Sequence, residues 1–95
     1  MRTYFMLTYD IADPKRWRKV YRIARDFGEH VQFSVFLCEL SEKDKTVLEE
    51  RLKDAISHEE DRILLVRLRS GETIEDAITS LGQKFELETR GLLIY

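Results

Sequence analysis

The 95-residue chain has a single cysteine, a single proline and only four glycines, and its net charge is close to zero at −2. One thiol excludes an intramolecular disulfide and any cysteine-based zinc cluster. Cys38 lies within an apolar segment, where it reads as a small core hydrophobe rather than a nucleophile. No apolar run approaches the ~20 residues that a membrane helix needs, and no signal-peptide pattern follows Arg2–Leu7. A soluble, cytoplasmic protein without membrane attachment is the expectation. His30 and His58 have no companion at metal-ligand spacing. Nucleophile–base pairs, glycine-rich phosphate loops and nucleotide-cofactor motifs are all missing. So are repeats, low-complexity tracts and linkers.

What is present suits one small folded domain over residues 1–95. Hydrophobic residues make up 43% of the chain and charged residues 36%, which points to a solvated globule and against disorder. The near-zero charge hides an asymmetry: seven Lys/Arg face five Asp/Glu in residues 1–40, and nine face thirteen in residues 41–95. Total charge therefore makes no case for nucleic acid, but one local stretch does.

Thr3 to Ile11, rich in aromatic and β-branched residues, reads as a buried strand. Asp13-Pro14 opens a helix, with aspartate as N-cap and proline at the first helical position, and Gly28 closes it after Phe27. Trp17, Val20, Tyr21, Ala24 and Phe27 form its apolar face. Lys15, Arg18, Lys19, Arg22 and Arg25 form the opposite one, with no acidic residue from 15 to 25. Residues 30–40 alternate as one long strand. Ser41-Glu42-Lys43-Asp44 caps a second helix whose buried stripe is Val47, Leu48, Leu52, Ala55 and Ile56. A strand over 61–69 follows, centred on Ile63-Leu64-Leu65-Val66. Ile74, Ala77, Ile78 and Leu81 predict a short helix ended by Gly82. Two short strands come last, around Phe85 and Leu87 and then Leu92–Tyr95. Two helices on one face of a sheet make an α+β sandwich.

The residue with the clearest chemical promise is Asp10, a carboxylate at the end of an apolar strand and just ahead of the basic helix. Magnesium takes six oxygens, commonly one or two carboxylates plus water and phosphate. The alternative is an aspartate that simply bonds the backbone of the following loop. Arg16 and Arg18 are expected in the first turn after it, and arginine forks onto phosphate with two bonds. The alternative for the basic stripe as a whole is a solvated helix face. Strand aromatics suggest base stacking as in RNA-binding ferredoxin-like domains, but the glycine–aromatic signature of that module is absent.

Three segments resemble a known family. They are Tyr9-Asp10-Ile11 ending the first strand, Asp13-Pro14-Lys15-Arg16-Trp17-Arg18-Lys19-Val20 opening the helix, and Val31-Gln32-Phe33-Ser34-Val35-Phe36 followed by Glu39-Leu40-Ser41. In these the chain is similar to the small CRISPR-associated adaptation proteins called "Cas two". The resemblance covers the whole length and is most specific over the first 42 residues. It implies a ferredoxin-like βαββαβ sandwich with an additional C-terminal strand, assembled as a homodimer. It also implies that residues 30–40 fold back near Phe33-Ser34, and that the strand near Leu92–Tyr95 pairs with the partner's sheet.

Functionally, the resemblance implies a CRISPR adaptation protein that binds duplex DNA or RNA and bridges the integrase called "Cas one". A magnesium-dependent endonuclease activity is implied as well, with Asp10 and its symmetry mate as catalytic and metal residues. Arg16, Arg18, Lys19, Arg22 and Arg25 are the expected nucleic-acid contacts. Tyr9, Ser34 and Phe36 are the residues that could shape the site, although turn and core roles serve Ser34 and Phe36 equally well. The rival expectations are a non-catalytic dimer that only spaces the integrase, and a toxin-like RNA interferase.

Overall fold

The computed structural model describes residues 2–69 and 74–83. Its elements are β1 (Thr3–Asp10), α1 (Pro14–Phe27), β2 (Gly28–Gln32), β3 (Val35–Leu40), α2 (Glu42–Ala55), β4 (Arg62–Arg67), α3 (Ile74–Ala77) and β5 (Ile78–Gly82). The strands form one antiparallel sheet in the order β2-β3-β1-β4-β5. The first six elements make the ferredoxin-like βαββαβ unit, and β5 adds a strand at its edge.

The caps act where the sequence puts them. Asp13 accepts hydrogen bonds from the backbone N–H groups of Lys15 and Arg16, both at 3.0 Å, and Ser41 accepts from that of Asp44 at 3.1 Å. Each satisfies donors that a helix start leaves free. Gly28 ends α1 with an extended backbone, not a left-handed one. A side chain there would strike the Cys38 sulfur and the Leu37 carbonyl, so close approach of β3 is what requires glycine.

Period-two alternation sorts the side chains of the sheet. Phe5, Leu7, Tyr9, Phe36, Cys38, Leu40, Ile63 and Leu65 point to the helices and are buried with Val20, Ile23, Ala24, Leu48 and Leu52. Burial pushes the Cys38 thiol up to about 11. Among the described residues the other face has no helix on it. Register aligns Met6 with Leu37 and Val66, and Val66 with Ile78; Thr8 lies between Val35 and Leu64. An apolar band thus crosses the open face, bounded by Tyr4 opposite Glu39 at one end and Asp10 opposite Arg62 at the other.

Three expectations from local sequence are corrected, the first being Val47, which lies exposed on α2 and outside its buried stripe. Residues 30–40 are a hairpin and not one strand: β2 and β3 turn through Phe33-Ser34, with Ser34 at φ 59°. No glycine marks the reversal, and the alternation continues across it. The helix expected to end at Gly82 is a single turn, Ile74–Ala77, followed by β5. Ile78 and Thr79 are β-branched and suit a strand, and β5 pairs along β4 from Arg62 to Val66 while burying Leu81. Gly82 has φ +90°, and any Cβ there would collide with the Asp61 carbonyl. The strands expected around Phe85 and at Leu92–Tyr95 lie outside the described residues.

Candidate active site and nucleic-acid face

Asp10 is the last residue of β1 and is exposed on the open face of the sheet. It lines a shallow cavity of about 210 Å³ with Thr8, Tyr9, Arg62 and Leu64. Alternation sends its neighbour Tyr9 the other way, into the core. Tyr9 stacks on Phe36 at 6.2 Å and meets Trp17 edge-on at 6.2 Å. Burial first, and then the neighbouring Tyr21, push the Tyr9 phenol above its ordinary value, with the Ser34 hydroxyl opposing. The phenol oxygen is buried and completes no hydrogen bond among the described residues. Ser34 sits in the hairpin turn. Its carbonyl accepts from the Tyr9 N–H at 3.2 Å, and its hydroxyl from the Trp17 indole N–H at 3.4 Å. Tyr9, Ser34 and Phe36 therefore gather on the helix side of the sheet, and Asp10 faces away from them.

The loop after Asp10 is held by a residue that sequence reasoning passed over. Asp61, just before β4, has no exposed surface. Its carboxylate accepts hydrogen bonds from the Ala12 N–H at 2.9 Å, the Ser57 N–H at 2.8 Å, and Arg16 through Nε at 2.8 Å and Nη2 at 3.3 Å. Arg16 Nη2 also reaches Glu60 at 3.1 Å. Burial raises the Asp61 pKa, but the Arg16 hydrogen bond, together with the Ser57 and Ala12 N–H groups, outweighs it and leaves the group below its ordinary value. The bond to Asp61 likewise holds Arg16 above the usual guanidinium value. This cluster ties the β1–α1 loop to the α2–β4 loop. No local sequence signal marks Asp61, because its partners Ala12 and Arg16 are remote along the chain.

Arg16 is thus engaged by carboxylates within the chain, and the rest of the basic run is different. Lys15, Arg18, Lys19, Arg22 and Arg25 are exposed along α1. Arg25 lies over the Tyr21 ring at 5.7 Å. Among the described residues, Arg18, Lys19 and Arg22 have no carboxylate partner. Four of the five expected phosphate contacts therefore share one solvent-facing side of one helix.

Comparison with known proteins fits this geometry. The family described as "CRISPR associated protein Cas2" matches residues 1–74. The chain belongs to the Cas2 family. A relative from Rhodospirillum rubrum, named CRISPR-associated endoribonuclease Cas2 1, is 38% identical over 91 residues, covering 95% of this chain and 89% of its own. Another from Halalkalibacterium halodurans, named CRISPR-associated endonuclease Cas2, is 30% identical over 93 residues, covering 98% of this chain and 95% of its own. The crystal structure of Streptococcus pyogenes Cas2 superposes with a TM-score of 0.66 and 30% identity, over 72% of this chain and 88% of that one. The Cas2 match spans the whole βαββαβ unit, and β5 lies beyond it.

The donor set can be tested against a magnesium ion. Among the described residues no three His, Cys, Asp or Glu side chains form a metal-binding group. Asp10 offers one carboxylate from one chain, the lower limit of the one or two that magnesium commonly takes from protein. A second copy bringing a second Asp10 would supply the fuller set.

Proposed function

We propose that this Cas2 protein works as a homodimer that cleaves phosphodiester bonds in nucleic acid, using Asp10 and its symmetry mate as the metal-holding pair. The observation that carries the reading is the place of Asp10: at the end of an open, apolar-banded sheet face. Sheets pack face to face about 10 Å apart, and an isologous contact brings the same residue together across its two-fold axis. If Met6, Leu37, Leu64 and Val66 meet their copies around an axis passing near Asp10, two carboxylates converge at the rim. When bound there, magnesium supplies water activation and charge stabilisation at the phosphate. The exposed cations of α1 hold the backbone without reading bases, which suits both the endoribonuclease and endonuclease names of the relatives. In the cell this activity belongs with CRISPR adaptation, where the dimer also bridges the integrase.

The test compares wild type with Asp10→Asn on labelled RNA and duplex DNA, with and without magnesium. Cleavage that needs magnesium and vanishes in the variant is expected. Equal cleavage by both proteins, or none by either, removes the catalytic role and leaves the dimer as a scaffold. For the interface, Met6→Asp places a charge in the apolar band and should halve the mass measured by light scattering. An unchanged mass means that the sheet face is not where two copies meet.

A further inference from the structure

The hairpin tip carries a feature that cleavage at Asp10 does not use. Phe33 is 78% exposed, yet its ring is held in place. It stacks on Trp17 at 5.6 Å and 23°, and Trp17 stacks on Tyr21 at 5.5 Å and 14°. The Arg25 guanidinium covers the far end of the ladder, and the Ser34 hydroxyl anchors the indole. Beside Phe33 runs an open groove of about 430 Å³ lined by Ile11, Ala12, Pro14, Trp17, Arg18 and Phe33. Its walls are apolar and aromatic, and among the described residues Arg18 is the one charge that lines it.

An apolar groove alone would accept many partners. Here the charge around it narrows the choice. Arg18 continues into the exposed Lys19, Arg22 and Arg25 of α1, with no acidic residue between positions 15 and 25. The complementary ligand is a polyanion that carries flat apolar units. Within a duplex both faces of a base are covered by its neighbours; an unpaired base has a face to offer.

We infer that the Phe33–Trp17 groove is a stacking subsite for one unpaired nucleobase, with Arg18 on the adjoining phosphate. The inference rests on the nucleic-acid reading above and adds to it the residues that hold one exposed base. The ladder is already ordered, so little freedom is lost when a base docks.

Trp17 is the only tryptophan, so its fluorescence reports on the groove directly. The full-length protein is titrated with a short single-stranded oligoribonucleotide and with an abasic strand bearing the same number of phosphates. The base-bearing strand should quench Trp17 and bind roughly tenfold tighter than the abasic one, in line with ring–base stacking elsewhere. Phe33→Ala should erase that ratio and leave the salt dependence of binding unchanged, because no charge is removed. Phe33→Tyr should retain the ratio. Equal binding of the two strands by wild type, or a ratio untouched by Phe33→Ala, overturns the stacking subsite alone. A Phe33→Ala protein with an intact ratio but altered oligomeric mass assigns the groove to a protein partner, and overturns it too. Failure of both strands to bind defeats the nucleic-acid reading along with this one.

Discussion

Two aspartates border the loop that follows β1, and they live in opposite surroundings. Asp61 is shut away from solvent, accepts from two backbone N–H groups and one guanidinium, and has its pKa lowered. Asp10, two residues from the Ala12 N–H that Asp61 binds, stands exposed on the open sheet face. The arginines divide in the same way: Arg16 is spent on Asp61 and Glu60, whereas Arg18 and Arg22 face water. Buried, saturated charges fix a loop, and exposed charges near that fixed loop are available to a ligand. The contrast separates a residue that holds the mouth in place from one that can act there.

The contrast can be broken most forcefully at Asp61. Asp61→Ala leaves Arg16 and two backbone donors without their acceptor, and breaking a buried pair of this kind costs about 3–5 kcal/mol. Guanidinium denaturation should show that loss as an early midpoint; a midpoint equal to wild type would mean that the cluster locks nothing. The next effect is in pH. A carboxylate lowered in the folded state contributes stability that is complete above its ordinary value of 3.8 and is lost as pH falls through the folded value. The stability gap between wild type and Asp61→Asn should therefore narrow as pH drops below 3.8. Parallel acid profiles would contradict this assignment.

The arginines give a smaller and more selective effect. Replacing Arg18, Arg22 and Arg25 with Gln should lower the salt slope of DNA binding by about 0.9 for each phosphate that the protein ceases to neutralise. Arg16→Gln should lower stability and leave the slope alone. A slope that responds to Arg16 and ignores the other three would reverse the division between the arginines. The smallest change belongs to Asp10→Asn, which should move unfolding free energy by no more than about 0.5 kcal/mol, as surface substitutions usually do. A large loss would show that Asp10 is structural after all.

Much of this architecture is legible from local signals. Asp13-Pro14 and Ser41 open helices where capping chemistry says they should, and the end of β1 places Asp10 correctly. What escapes has a physical reason. Ser34 takes a positive φ without glycine, and Val31, Phe33, Val35 and Leu37 keep alternating through the turn, so the hairpin was legible only by family resemblance. Ile74, Ala77, Ile78 and Leu81 fit helical spacing, yet the free edge of β4 recruits the last two into β5. Asp61 is invisible for another reason: its partners Ala12 and Arg16 are 49 and 45 residues away. Nothing local tells Arg16, which it engages, from Arg18, which it does not.

The lone thiol makes the molecule its own clock. Cys38 sits beside Gly28 on β3, one strand in from the edge, fully buried and shifted to about 11, so a thiol reagent at neutral pH finds neither access nor thiolate. Labelling of this one sulfur then proceeds only when β2 lifts from β3, when a helix lifts from the sheet, or when the whole fold opens. Its rate measures how often the fold breathes, with no probe added.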